Sequence, residues 1–517
     1  MVDTEQLPAI GDWDRRSFLR LTGMAAAGTI VAGQSFAASA PSAIVALDAA
    51  ALSAAIQSRA VSCVEVMTAY LDRIDRLNPK FNAIVALQER GGLLRQAATR
   101  DAMLASGRSM GPLHGFPHAV KDLQPVKGLP FTNGSPIFRN RIADADGLMV
   151  GRLRAAGVIF IGKTNTPEFG LGSHTFNSVH GLTRNAWDPT RSAGGSSGGA
   201  AVALALRMVP LADGSDYGGS LRNPAGWNNV CGFRASIGRV PNARDDWLPS
   251  MGVAGAMGRT VADLALLMSV IAGHDASAPL SMESSPAPFA QKLPAQAKGE
   301  RIGWLGDFGG SAPTEPEVLG LCREALGAFE RIGCTVAEAM PDYPVDQAWA
   351  AFVQLRSWQQ GGNMLPFYND PVQRALLKPE ALFEVETGSK LSAFDITRHA
   401  AVRSAWTKAF RSLFERFDFL VAPTAQLLPF DARLDWPHTV AGQPMRTYHE
   451  WMKGCCLVTM AGCPSLAVPA GIAGGKWPIG LQIIAPVHRE LACLEMGAAF
   501  EAERGLTSRA PPSVRPG

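Results

Sequence analysis

From Ser62 onward apolar residues recur at helical spacing, with Val64, Met67, Leu71, Ile74 and Leu77 on one face. Ser62 and Glu65 form a capping box at the start of this face, and Asn78-Pro79 mark its expected end. The pattern then changes period. Residues 81–87 read as a short strand, 89–106 as a charged helix, and 147–156 as a helix running into the fully apolar strand Val158-Ile159-Phe160-Ile161. The same helix-to-strand succession returns at 320–332 before Cys334-Thr335-Val336, and at 404–417 before Phe419-Leu420-Val421-Ala422. Short, uninterrupted apolar strands are those covered on both faces, so the alternation predicts an α/β layered fold on a largely parallel or mixed sheet. The Pro/Ser/Ala-rich stretch 276–297 reads as a surface loop between a helix at 260–272 and the strand Arg301-Ile302-Gly303-Trp304-Leu305. Strand signals on both sides of it allow one continuous sheet.

Length and composition narrow the class without fixing the function. A chain of 517 residues has room for about three domains or one unusually large one. With 47% hydrophobic and 18% charged residues, disorder and coiled coil are excluded as global descriptions. The 48 Lys and Arg against 45 Asp and Glu leave a net charge of +3, too weak a field to argue for nucleic acid or an anionic membrane, so a small-molecule partner is expected. Eight Cys without C-x-x-C spacing read as buried thiols. Nine His without an H-E-x-x-H arrangement suggest no metal site, and no cofactor is expected.

Three segments carry candidate chemistry. Gly194-Gly195-Ser196-Ser197-Gly198-Gly199 opens an Ala-rich helical stretch ending near Arg207. No Lys-Ser/Thr follows as a P-loop needs, and no G-x-G-x-x-G is present, which disfavours a phosphate cradle. Met208-Val209-Pro210-Leu211-Ala212 reads as a strand, followed by Asp213-Gly214-Ser215-Asp216-Tyr217-Gly218-Gly219-Ser220. A helix of about ten residues advances about 15 Å, and a strand of five or six retraces about 16 to 20 Å. Ser196 and Ser220 are therefore expected on one edge of the sheet within reach of each other.

Upstream, Gly111-Pro112-Leu113-His114-Gly115-Phe116-Pro117-His118-Ala119-Val120-Lys121-Asp122 sets a lone Lys at the end of an apolar segment. An ammonium there is either paired with Asp122 or held neutral as a base. The second option requires a pKa lowered from about 10.4 to about 7 or 8, a differential of roughly 4 kcal/mol that burial can supply. Lys163 also follows an apolar strand and is the competing base. His114, His118, His174 and His180 lie near these motifs, but no G-x-S-x-G elbow accompanies them.

Together these segments resemble the amidase signature family. The resemblance rests on G-P-L-H-G-x-P-x-A-V-K-D, W-D-P-T-R-x-x-G-G-S-S-G-G and G-S-D-x-G-G-S-L-R. It extends to Gly162-Lys163-Thr164-Asn165-Thr166-Pro167-Glu168-Phe169, Gly258-Arg259-Thr260-Val261-Ala262-Asp263, Ala461-Gly462-Cys463-Pro464-Ser465-Leu466-Ala467-Val468-Pro469-Ala470-Gly471 and Gly480-Leu481-Gln482-Ile483-Ile484. It implies one large α/β domain over 41–510, a mixed twisted sheet with helices on both faces, a signature core at about 105–275 and a variable substrate-side region at about 276–404.

By the same resemblance Ser220 is the nucleophile, Ser196 the bridging serine behind a cis peptide after Gly195, and Lys121 the base. The N–H groups of Tyr217, Gly218, Gly219 and Ser220 would form the oxyanion hole, with Gly195, Ser197, Ser215, Asp216 and Arg222 in support. Ser215 stands where many members have Thr. The implied activity is hydrolysis of a carboxylic amide to acid and amine or ammonia through an acyl-enzyme, acting on a small amide as monomer or homodimer. The alternatives are carbamate or ester hydrolysis, a non-catalytic exported binding protein and an ammonia-delivering transamidation subunit. For substrate contacts the candidates are Tyr217, Trp227 and Trp451, with Phe352, Trp358 and Tyr448 behind them.

At the N-terminus, Asp14-Arg15-Arg16-Ser17-Phe18-Leu19-Arg20 precedes a mild, uncharged stretch at 21–40. It resembles a twin-arginine signal peptide, with Asp14 where that pattern has Ser or Thr. Gly23, Gly28, Gly33, Gln34 and Ser35 dilute the run below what a membrane span needs. Cleavage is expected after Ala37, or as late as residue 40, leaving a periplasmic or secreted protein without stable membrane insertion.

Overall fold

The computed structural model describes residues 41–241, 251–294 and 297–514. The twin-arginine segment at 1–37 lies outside the described residues. The first amphipathic helix runs Cys63–Phe81, with the Ser62/Glu65 capping box formed. It continues through Asn78-Pro79, contrary to expectation. Phe81 is fully buried and holds the last turn down, while the Asn78 side chain accepts the N–H groups of Ala83 and Ile84, so the chain turns at the left-handed Asn82 instead.

Among the described residues, eleven strands build the two larger sheets. The smaller of these contains β1 (Ile84–Val85), β2 (Pro117–Lys121) and β3 (Ile159–Thr164) in the order β1-β3-β2. The other contains β4 (Ala212–Asp216), β5 (Cys231–Arg234), β6 (Val253–Gly258), β7 (Arg301–Trp304), β8 (Thr335–Glu338), β9 (Phe419–Pro423), β10 (Ser465–Ala473) and β11 (Trp477–Ile484). Its order is β8-β7-β9-β11-β10-β5-β6-β4. Pairing is parallel across β8-β7-β9 and antiparallel from there to β4, a mixed sheet as expected. Strands from both sides of the 276–297 stretch belong to it, so that stretch does not divide the molecule into lobes.

Helices cover both faces. Along β9, Phe419 and Val421 enter one apolar cluster, while Leu420 and Ala422 enter another built mainly from the helices Val345–Asn369, Ala393–Ser412 and Lys453–Ala461. Alternate residues of a strand face opposite sides, which is why β9 reads as an unbroken apolar run. All eight Cys are free and buried.

The strand expected at 208–212 forms later, at β4. Residues 208–211 make the turn out of the helix Gly198–Ala205. That helix is buried along its whole length and touches strands of both sheets, so Gly, Ala, Val and Leu are what its walls admit. Glycines and serines of β4 thereby face the helix N-terminus, where the candidate chemistry lies.

Candidate active site

Lys121 closes β2 and is fully buried. Its Nζ does not pair with Asp122. It lies 2.8 Å from Ser196 Oγ, 2.8 Å from Ser197 Oγ and 3.0 Å from Ser215 Oγ. Asp122 instead takes the Thr132 hydroxyl and lies 3.8 Å from Lys163 Nζ, which also donates to the Gln124 carbonyl. Burial lowers the pKa of Lys121 to about 7, against the upward pull of Asp213 and Asp216. Lys163 is lowered by burial to about 8, but its partners are a carboxylate and a carbonyl, with no serine hydroxyl among them.

A neutral amine has two donors and one lone pair. The Ser197 hydroxyl lies 3.4 Å from the Ser215 carbonyl, to which it donates, so Ser197 Oγ accepts from Lys121. If Ser215 Oγ takes the second N–H, the lone pair of a neutral Lys121 is left for the Ser196 hydroxyl.

The peptide bond between Gly195 and Ser196 is cis. A Cβ on Gly195 would sit 3.0 Å from His174 N, Ser173 C and Thr175 Oγ1, so any larger residue would force this backbone to give by a few tenths of an ångström. Asn223 accepts the Gly195 N–H at 3.1 Å and fixes the turn.

Ser220 follows β4 on a loop organised around the buried Asp216. Arg222 donates to Asp216 through Nε at 3.0 Å and Nη2 at 2.9 Å, and Arg234 Nη1 lies 3.4 Å away. Burial raises the Asp216 carboxyl, and the two guanidinium groups and the Leu221 N–H more than reverse this, holding it well below the usual carboxylate range. Its Oδ1 also accepts the Gly219 N–H at 3.0 Å. This narrows the expected oxyanion hole: the Gly219 amide is engaged by Asp216, which leaves Tyr217, Gly218 and Ser220 as the candidate donors. Gly219 has φ +115, and a Cβ there would lie 2.8 Å from Cys455 Cβ.

Ser196 and Ser220 lie on one side of the sheet, as the out-and-back geometry predicts: both line one cavity of about 140 Å³, and the N–H of Ser197, next to Ser196, donates to the Ser220 carbonyl at 3.2 Å. Its walls include Phe169, Leu171, Tyr217, Phe352, Arg356 and Met452.

Among the substrate-contact candidates, Tyr217 and Phe352 reach this cavity. Trp227 and Trp451 do not. Both are fully buried and stack on each other with ring centroids 5.4 Å apart, and Trp227 Nε1 donates to the Leu427 carbonyl. They are core residues because the helix Arg222–Asn228 and the turn at 450–452 press together there. Trp358 lines a neighbouring cavity, and Tyr448 is buried in a hydrogen-bonded cluster.

That cluster escaped the sequence reading. Glu384 is fully buried and accepts from Arg356 Nε at 2.9 Å, Ser357 Oγ at 2.8 Å and the Tyr448 hydroxyl, with His449 Nε2 at 3.0 Å. Arg356 also lies over the Tyr217 ring, 4.8 Å from its centroid. A signal was available: Ala381, Glu384 and Val385 share the buried face of one helix, and a glutamate on an apolar stripe demands a partner.

The chain is 34% identical to an acylamidase of Rhodococcus erythropolis, over 90% of this chain and 97% of that protein. It is 33% identical to a glutamyl-tRNA(Gln) amidotransferase subunit of the same species, over 89% of this chain and 98% of that one. The crystal structure of a bacterial aryl acylamidase of the amidase signature enzymes superposes with a TM-score of 0.81 at 27% identity, covering 91% of this chain and all of that one. The Amidase family model matches residues 65–494. A shared mixed sheet, a family match across most of the chain and amidase relatives over nearly their full length agree: this chain belongs to the amidase signature family and is a hydrolase of amide carbon–nitrogen bonds.

Proposed function

We propose that the protein is an acylamidase in which Ser220 is the nucleophile, Ser196 the relay and Lys121 the base. The observation that carries this reading is the buried Lys121 amine, 2.8 Å from Ser196 Oγ and within hydrogen-bond distance of three hydroxyls. Neutral Lys121 takes the Ser196 proton as Ser196 takes that of Ser220, and Ser220 Oγ bonds to the amide carbon. The carbonyl oxygen becomes an oxyanion facing the amides of Tyr217, Gly218 and Ser220. The proton returns through Ser196 to the departing nitrogen, which leaves as amine or ammonia, and the acyl group stays on Ser220. Water attacks the acyl-enzyme carbon, giving its proton to the same relay; the bond from that carbon to Ser220 Oγ breaks as the relay returns the proton to Oγ, and the acid departs.

The walls at Phe169, Leu171, Phe352 and Met452 favour an apolar acyl or amine group, and the acylamidase relatives support an N-acyl amide as substrate. Incubation with a fluorophosphonate followed by peptide mass spectrometry tests the nucleophile. Label on Ser220, lost in Ser220→Ala, is expected; label elsewhere overturns the assignment. A panel of anilides, short aliphatic amides, peptide amides, carbamates and esters then ranks the substrate class.

The likeness to an amidotransferase component supports a second reading, that of an ammonia-delivering subunit. Stable copurifying subunits would favour it, and turnover by the isolated chain would oppose it. Residues 1–37 are read as a twin-arginine signal on Arg15, Arg16, Phe18 and Leu19, and this reading supports a periplasmic or secreted mature enzyme. N-terminal sequencing of the exported protein should begin after Ala37.

A further inference from the structure

The two sheets meet edge to edge beside the Lys121 site. β2 is the outer strand of the three-stranded sheet and β4 the outer strand of the eight-stranded one, and among the described residues no backbone ladder joins them. The side chain of Asp213, from β4, bridges the seam. Its carboxylate accepts the main-chain N–H of Lys121, at 3.3 Å to Oδ1 and 3.2 Å to Oδ2, and Oδ1 lies 3.0 Å from His118 Nε2. Asp213 is fully buried, and among the described residues His118 is its sole ion-pair partner.

A buried carboxylate is an expensive way to satisfy one amide, since a neutral Asn or Ser oxygen would accept the same bond. We propose that Asp213 is a positioning residue, which holds Lys121 in register with Ser196 and Ser215 and whose negative charge sets the proton affinity of the Lys121 amine. The inference rests on the reading of Lys121 as base.

The charges around Lys121 single out Asp213. Asp216, on the same strand, is matched by Arg222 and Arg234. Asp122, beside Lys121 on the chain, is occupied by Thr132 and Lys163. Lys163 on β3 pairs in register with Val120 while Thr164 pairs with Lys121, so Lys163 points to the opposite face of the sheet. His118, three residues before Lys121, points to Asp213. Asp213 is thus the buried anion near Lys121 that no Lys or Arg side chain pairs within 4 Å among the described residues, and its pull on Lys121 is the larger of the two carboxylate contributions opposing burial.

Asp213→Asn retains an oxygen for the Lys121 N–H and removes the charge. An opposite charge nearby favours the protonated amine, so its loss should move the acid limb of the kcat/KM profile down by roughly one pH unit. Asp213→Glu, which keeps the charge, should retain a limb near that of the wild type. If Asp213→Asn does not fold, Asp213→Ser carries the same expectation, and if turnover is too slow, the pH dependence of fluorophosphonate labelling reports the same limb. A uniform fall in rate with the limb unmoved in the neutral variants would overturn the proposal. A wild type without an acid limb, or a Lys121→Met variant that keeps the wild-type rate or the limb, would instead overturn the base assignment beneath it.

Discussion

Lys121 Nζ and Ser196 Oγ, 75 positions apart in sequence, stand 2.8 Å from each other in a site from which the lysine is closed to solvent. The serine hydroxyl has a lone pair to give its proton to only when the ammonium is unprotonated. Whether this site works is therefore a question of protonation as much as of geometry.

Activity should follow the neutral fraction of Lys121. Burial sets its pKa at about 7, so the amine is protonated and idle below that value and free to accept a proton above it. The kcat/KM profile should rise with unit slope toward a plateau above about pH 7. A profile flat from about pH 5 to 9 would count against a lysine base. Lys121→Met should lose the limb together with about 10² to 10⁴ of the rate, the usual contribution of proton transfer by a positioned group.

The two serines should fail differently. Ser220→Ala removes the atom proposed to bond to substrate, so turnover and fluorophosphonate labelling should both vanish while circular dichroism is unchanged. Ser196→Ala leaves Ser220 in place but breaks the proposed relay, and slow labelling should survive with turnover reduced about 10² to 10⁴. Equal and complete loss of labelling in both variants would contradict the division of roles.

Asp216 should matter to both fold and rate. It holds the Gly219 N–H and two guanidinium groups in a fully buried site. Replacing Arg222 by Met leaves a buried carboxylate with one weaker partner, Arg234, and breaking such a pair costs about 3 to 5 kcal/mol. Urea titration should show a loss of that order. Measurements at a urea concentration where the variant stays folded should still show kcat reduced, because the Ser220 loop has lost its anchor.

Much of this site is legible in the chain because its residues are constrained by backbone. Glycines such as Gly199 and Gly219 stand where a Cβ would collide, and they lie within a few positions of Ser196 and Ser220, so the motif and the geometry coincide. The sheet can be read from β3 and β9 because strands covered on both faces carry few polar interruptions. The aromatic pocket wall is not legible. Trp227 and Phe352 are alike in sequence terms, and whether each meets the cavity or the core depends on how distant helices pack. The helix passes through Pro79 because tertiary burial of Phe81 outweighs a local stop signal.

Through Arg356, Glu384 links the helix Pro379–Gly388 to Tyr217 on the loop proposed to hold the oxyanion. Burial raises its carboxyl, but Arg356 and His449 overcome this and hold it at about 2, so the Glu384–Arg356 pair is intact throughout the working range. A depressed carboxyl contributes stability above its unfolded pKa of about 4.3 and loses it as pH falls toward the folded value. Glu384→Gln should accordingly be less stable than wild type at neutral pH, by about 3 to 5 kcal/mol, since it strands the Arg356 cation. The difference should shrink between about pH 4 and 2. Arg356 also covers the Tyr217 ring, and the Tyr217 hydroxyl donates to Gln359 at 2.6 Å, so its displacement loosens the residue that supplies one candidate oxyanion amide. Adding Arg356→Met to Glu384→Gln removes the stranded charge and should recover part of the stability. It cannot restore the cover on Tyr217, so kcat should stay low in the double variant. Recovery of stability and kcat together would show that Arg356 serves the fold alone.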